Sequence, residues 1–334
     1  MRHFNYLLLF APLSVFATSL GGPLAGYATF ANGSELRAIL GTPGSYQFSA
    51  PLPLPDGATR LHPAPGRDFA LVERAQASDE QQTPPGVAIY DGGALQSFAP
   101  MPGAIASPDW VVFSNEGGTA VLFSAQANRL QVWSGLPGSP QLALDASAGS
   151  LPDRPITAAV SEDGAILLAA SQTAVYLVST TEAPRLLLSA AKIASLVVLR
   201  NGRDAVVADH SAGVIHLLHN VASGADAGVL ASGLDAVGSI YPSSDGTELY
   251  AALPRQKSIA AIDLGSGAVN IFDSGGSPLK LNRLRNRDTF LISAKPQQPG
   301  WVFFRDDSVA GGAGVRSGKT VFIPAVTRSQ EDGQ

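Results

Sequence analysis

The sequence predicts an all-β fold assembled from a repeated unit, and three observations carry that reading. Tight polar turns recur at similar spacing, short β-rich runs flank each turn, and no long segment keeps apolar residues at helical spacing without Gly or Pro interrupting it. The turns are Pro65-Gly66-Arg67-Asp68, Glu116-Gly117-Gly118-Thr119, Asp163-Gly164-Ala165, Asn201-Gly202-Arg203-Asp204, Asp245-Gly246-Thr247 and Arg285-Asn286-Arg287-Asp288. Gly, and Asn in the sixth, accept a positive φ at low cost, as two-residue hairpin turns between right-twisted strands require.

Measured between Gly66, Gly118, Gly164, Gly202, Gly246 and Asn286, the repeat length ranges from 38 to 52 residues. That is the length of one four-stranded propeller blade, roughly 40 to 50 residues. First strands precede the turns at 59–63, 110–113, 156–160, 196–199, 239–241 and 279–284. Second strands follow at 69–72, 121–123, 166–169, 206–208, 249–251 and 289–292, and third strands at 87–90, 130–133, 175–178, 214–218, 259–262 and 301–304. An N-terminal pair, 27–30 and 36–40, aligns with third and fourth strands, as does the C-terminal pair 301–304 and 319–323. One pair is surplus. It adds to the closing blade of a six-bladed ring, the favoured count, or it belongs to a degenerate seventh blade. The expected organisation is a leader at 1–17, one β-propeller over 18–326 and a disordered tail at 327–334.

Composition narrows the function classes. The chain has 334 residues, 45% of them hydrophobic, enough to bury a large core. Its net charge of -5 gives no field for a polyanion, which argues against nucleic-acid binding. The absence of Cys removes disulfides, thiol nucleophiles and Cys-held metals, and also a lipid-modified cysteine at a mature N-terminus. Arg2 and His3 precede an apolar run at 6–16 and the small-residue site Val15-Phe16-Ala17, the pattern of an export signal cleaved near Ala17. That run is too short to span a bilayer. A mature protein that is periplasmic or secreted, monomeric and without a membrane span is expected. No glycine-rich phosphate loop opens a helix, so nucleotide chemistry is not expected.

The strand, Asp-Gly turn, strand pattern at Asp163-Gly164 and Asp245-Gly246, with Tyr90-Asp91 and Ile262-Asp263 where a Trp-Asp pair would close a third strand, resembles YVTN-type and WD-type propeller repeats over about residues 58–326. The other third strands end in Trp133-Ser134, Val178-Ser179, Leu218-His219 and Phe304-Arg305, so the resemblance reaches the architecture and stops there. Propellers host unrelated functions, and function must be argued from the site.

Polar residues that single blades carry are the site candidates. Seven residues after the turn marker stand Glu73 and Asp209, followed by Arg74 and His210, a carboxylate beside a base or cation at the end of two second strands. Glu73, Asp209 and His210 are therefore the catalytic candidates, against ordinary surface charge at a strand end. Asp209 or His210 with His216 supplies ligand types for a divalent metal; His216 and His219, three apart on a strand, point to opposite faces. Beyond that divalent metal no cofactor is predicted. Arg283, Arg285 and Arg287 alternate onto one face of an innermost strand, where they would line the channel and bind carboxylate or phosphate. Trp110, Trp133 and Trp301 fit inter-blade core better than sugar-stacking platforms. The polar loop 76–86 is a candidate partner-binding lid or a plain solvated loop. The favoured function is a non-catalytic scaffold that binds a protein or polymer ligand in the envelope. The alternative is a propeller hydrolase, lactonase-like, with a metal or carboxylate site at the channel mouth.

Overall fold

The computed structural model describes residues 22–75, 84–91, 93–293, 300–306 and 317–324. The expected leader and tail, and positions 76–83 of the polar loop, lie outside the described residues. The chain forms seven antiparallel sheets in sequence order, the blades of one β-propeller. Blade 1 has β1 (Leu24–Phe30), β2 (Glu35–Thr42) and β3 (Ser45–Pro51), and blade 2 has β4 (Ala58–Pro63), β5 (Phe69–Arg74), β6 (Gly86–Asp91) and β7 (Ala94–Pro100). Blade 3 has β8 (Trp110–Phe113), β9 (Ala120–Ser124), β10 (Arg129–Ser134) and β11 (Gln141–Ser147), and blade 4 has β12 (Thr157–Val160), β13 (Leu167–Ala170), β14 (Ala174–Val178) and β15 (Arg185–Ser189). Blade 5 has β16 (Ile193–Val198), β17 (Ala205–Asp209), β18 (Val214–His219) and β19 (Asp226–Ala231), and blade 6 has β20 (Ile240–Pro242), β21 (Glu248–Leu253), β22 (Ser258–Asp263) and β23 (Val269–Asp273). Blade 7 has β24 (Asn282–Arg283), β25 (Thr289–Ser293), β26 (Gly300–Asp306) and β27 (Ser317–Ile323). None of the described residues forms a helix long and apolar enough to cross a membrane.

Burial follows position in the blade. Second strands such as β9, β13 and β17 are buried along their whole length, whereas fourth strands such as β7 and β19 are mostly exposed. A second strand has a neighbouring blade on each face, so both faces are apolar. Its small residues, as in Leu167-Leu168-Ala169-Ala170, let adjacent sheets approach. Apolar clusters join successive blades: Val121, Phe123 and Val132 of blade 3 meet Ala158, Leu167 and Tyr176 of blade 4. Trp133 is buried between blades 2 and 3, and Trp110 stacks on Phe123 with ring centroids 4.9 Å apart, which places these two tryptophans in packing roles.

The blade count corrects the favoured six to seven, and blade 1 shows why six repeats were visible. Ala25 C=O accepts the Arg285 N–H at 2.8 Å, at the end of the ring that carries the first hairpin turns. A Cβ on Gly33 would meet Arg60 and Leu61, toward the opposite end. Strand β1 therefore runs antiparallel to β4 and carries the burial of a second strand, with β2 and β3 in third and fourth positions. The pair at 27–30 and 36–40 consists of second and third strands, not third and fourth. Blade 1 has no first strand and no first turn, so it leaves no marker in the sequence. In its place β1 lies between blades 7 and 2: Ala25, Ala28 and Phe30 pack with Leu284 and Leu291, and Tyr27 with Leu61 and Ala70.

The turns also differ from the expected two-residue type. Ser114 N–H bonds Thr119 C=O at 2.9 Å, Ser161 bonds Ile166 at 3.0 Å and Ser243 bonds Glu248 at 2.8 Å, so four residues lie inside each loop. Within each, Gly117, Gly164 or Gly246 donates to the carbonyl three residues back and adopts a φ of 76°, 74° or 75°. The left-handed residue in blade 3 is Gly117 rather than Gly118, and in blade 7 it is Asp288 at φ 48° rather than Asn286.

Ile39, fully buried on β2, tests the corrected count. Ile39→Ala is expected to destabilise the protein by about 2–5 kcal/mol, as for a truncated core residue, in denaturant unfolding. A cost below about 0.5 kcal/mol, typical of a surface strap, would contradict a structural seventh blade.

Candidate functional site: the central channel

The innermost strands of all seven blades enclose a channel of about 590 Å³. One mouth is sealed by the turn after β8. Asn115 Nδ2 donates to the Val198 carbonyl at 2.6 Å, while the Asn115 carbonyl accepts from the Tyr241 hydroxyl and from Arg283 Nη1 at 3.2 Å. Glu116 Oε1 accepts from Arg283 Nη1 at 2.8 Å and from Arg200 Nη2 at 2.6 Å, and the Glu116 carbonyl accepts from Arg67 Nε at 2.6 Å. The Glu162 carboxylate takes the N–H groups of Glu116 and Gly118. One turn of blade 3 is thus held by blades 2, 4, 5, 6 and 7.

The electrostatics match this geometry. Burial works against the Glu116 charge, but the guanidinium groups of Arg283 and Arg200 outweigh it and hold the carboxyl below its ordinary range. Burial raises the Tyr241 phenol, which stays protonated and donates. Arg283 lines the channel as part of its floor. Arg285 and Arg287 do not share its face. Strand β24 ends at Arg283, and both residues sit exposed in the turn, Arg285 paired with Asp68 at 3.2 Å.

The catalytic candidates separate. Glu73 is buried and meets His62 Nε2 at 2.7 Å and Arg60 Nη1 at 3.4 Å, with His62 on the channel wall. Its sequence neighbour Arg74 turns away to the Asp56 carbonyl and the Phe98 ring. The His62–Glu73 pair was hidden from a reading along the chain because its partners lie on facing strands. Hairpin register carries the signal, since Glu73 stands opposite Arg60 and Leu71 opposite His62.

Asp209 is shielded by its own loop, with 2% of its surface exposed. It accepts the amides of Ala191 at 2.7 Å, Lys192 at 3.1 Å, and Ser211 and Ala212 at 3.0 Å each. Burial opposes its charge, but these four amides outweigh it and depress the pKa. The carboxylate ties the loop before β16 to the turn after β17. Glu73 and Asp209 share no partner. His210 donates Nδ1–H to the Val237 carbonyl at 3.0 Å and lines a separate open cleft of about 500 Å³. Burial pushes the His216 imidazole below its ordinary pKa, with Asp209 acting in the opposite direction. His219 pairs with Asp204 at 3.3 Å. Among the described residues no three His, Asp or Glu side chains converge as a metal-binding group.

The channel wall also holds a lysine from the segment before β24. Lys280 stands on the lumen, reachable by water, yet the surrounding wall is close enough that desolvation lowers its ammonium pKa. The basic residues lining the channel are His62, Arg67, Lys280 and Arg283, and no Asp or Glu is among the lining residues.

No protein-family model matches the sequence, and no curated protein matches it. Solved structures do. A proposed 6-phosphogluconolactonase of Bacteroides fragilis is 17% identical over 90% of this chain and 94% of that one, with a TM-score of 0.57. A Lactobacillus plantarum protein is 14% identical over 90% of this chain and 96% of that one, at a TM-score of 0.57. A proposed 6-phosphogluconolactonase of Bacteroides uniformis is 17% identical over 90% and 96%, at 0.54. At such identities the likeness is one of fold.

Glu116 and Asp209, two of the carboxylates with depressed pKa values, help set an acid limit on stability. A lowered folded pKa contributes stability in full above the unfolded value, 4.5 for Glu116 and 3.8 for Asp209, and that stability is lost as pH falls through the folded value. Melting curves from about pH 5 to about pH 3 are expected to fall less steeply in Glu116→Gln and in Asp209→Asn, each from a lower start. Unchanged slopes would remove both groups from the acid response. At neutral pH, Asp209→Ala is expected to cost about 2–4 kcal/mol, because it leaves buried amides without an acceptor.

Proposed function

We propose that this protein is a non-catalytic propeller of the cell envelope that holds a protein or polymer ligand by a group inserted into the open mouth of its channel. The observation that carries this reading is the sealed floor. With Asn115, Glu116, Tyr241 and Arg283 bonded across one mouth, the channel is a preformed cup whose wall is built from the innermost strand of each blade. Ligand sites are commonly concave and largely preformed, with a few polar groups fixing orientation. The export signal read at 1–17 supports the location.

The test is a lumen-filling substitution. Ala194 lines the channel, and Ala194→Trp is expected to abolish retention of envelope material by the immobilised protein, while Leu186→Trp on an exposed outer strand leaves it unchanged. Equal retention by both variants would place binding elsewhere on the molecule.

A second reading is favoured by one contact. The half-buried pair of His62 and Glu73 is a base held by a carboxylate on the channel wall, the arrangement general-base hydrolysis uses. It accords with the activity proposed in the names of the two Bacteroides proteins, here a matter of fold likeness. Turnover of a lactone or ester panel that disappears in His62→Ala would establish this reading over the scaffold. The scaffold reading expects no turnover in either protein.

A further inference from the structure

Three neighbouring blades present hydrogen-bond donors to the lumen in series. Ser195 Oγ of blade 5 accepts the Ile240 N–H of blade 6 at 3.3 Å, and Ser239 Oγ of blade 6 accepts the Leu281 N–H of blade 7 at 2.8 Å. Each serine oxygen thus spends a lone pair on the next blade, and its hydroxyl proton has no acceptor among the described residues. Lys280 is the residue before Leu281, so its position continues the same series onto blade 7. All three residues line the channel.

The charge of this row is not answered from within. Arg283 is neutralised in the floor by Glu116, and His62 faces Glu73. Lys280 has no carboxylate partner among the described residues, and the lining contains no acidic side chain. A cation on a concave wall without a counter-charge attracts an anion, and two hydroxyl donors on the neighbouring blades of the same wall supply what anionic oxygens accept.

We infer that the group entering the channel is a compact anion, a carboxylate or phosphate, bound by Lys280 with the hydroxyls of Ser239 and Ser195. The inference rests on the channel being the binding site and names the chemistry of its ligand. The lowered ammonium pKa is the cost of enclosure that a bound anion would relieve. The serines select for acceptor oxygens, so a neutral apolar group would leave their protons unpaired. Lys280 alternates with Leu281, which is buried between blades 6 and 7, so the backbone that carries the ammonium is fixed by the core.

The experiment is calorimetric titration of the full mature protein with inorganic phosphate, with citrate and with glucose, alongside Lys280→Met and Ser239→Ala, each shown by its melting curve to be folded at the titration temperature. Binding of phosphate or citrate, but not glucose, is expected, weakened at least tenfold in Lys280→Met and several-fold in Ser239→Ala. Phosphate alone would assign a phosphoryl group and citrate alone a carboxylate, and either supports the inference. No binding of either anion, or equal affinity in Lys280→Met, would overturn it. Loss of envelope retention in Ala194→Trp despite that result would leave the channel reading standing without the anion; failure of both would remove both.

Discussion

A ring of sheets has two ends to reconcile, and here they meet on β1. Each blade buries its faces against two neighbours, so no blade is stable unless the ring is complete. The chain completes it with a three-stranded blade in which β1 takes the place nearest the channel while running opposite to the other innermost strands. Leu284 and Leu291 close on it from one side and Leu61 and Ala70 from the other. Next to it, blades 7 and 2 bond directly, Gly66 N–H to the Arg283 carbonyl at 3.2 Å. That contact draws Arg283 and Arg67 to the same mouth, where the Glu116 turn can reach both.

The sealed mouth follows from closure. Six blades contribute to the bonds around Asn115 and Glu116, with opposite charges on different turns: arginines from blades 2, 5 and 7, glutamates from blades 3 and 4. Such a network is costly to assemble without full pairing, because each buried polar group left alone loses its hydration. With these bonds made, the floor is fixed, and Lys280, Ser195 and Ser239 remain on the lumen wall. The channel's polarity is thus a consequence of where the turns fall.

Much of this was legible in the sequence, for identifiable reasons. Six Gly- or Asn-bearing turns marked the architecture and six of the seven blades, because each turn needs a residue of positive φ at or near its marker, Gly117 beside Gly118 and Asp288 two residues after Asn286. The motif around Asp163 and Asp245 is locally specified as well: each carboxylate accepts its own Ser161 or Ser243 hydroxyl at 2.6 Å and an amide two residues on. Blade 1 was misread because it lacks the strand and turn that mark the others. Asp209 stood out in the sequence as a polar residue that few blades carry, but its partners are the backbone amides of loops that sequence does not bring together. Arg283 was found, and its separation from Arg285 and Arg287 was not, because β24 is two residues long and strand alternation ends with it. His62, Ser195 and Ser239 went unseen since their significance depends on cross-strand and cross-blade contacts.

Basic side chains line the channel and no Asp or Glu does, which makes it a cup of positive potential. The chain contains no Cys, so a single Ser239→Cys substitution places the sole thiol on the lumen wall. The most direct measurement is the ratio of its reaction rates with an anionic and a cationic methanethiosulfonate of similar size, referred to the same ratio for a free thiol. The anionic reagent is predicted to react several-fold faster, with the preference lost when Lys280→Met is added. Equal rates, or a preference for the cation, would contradict the claim.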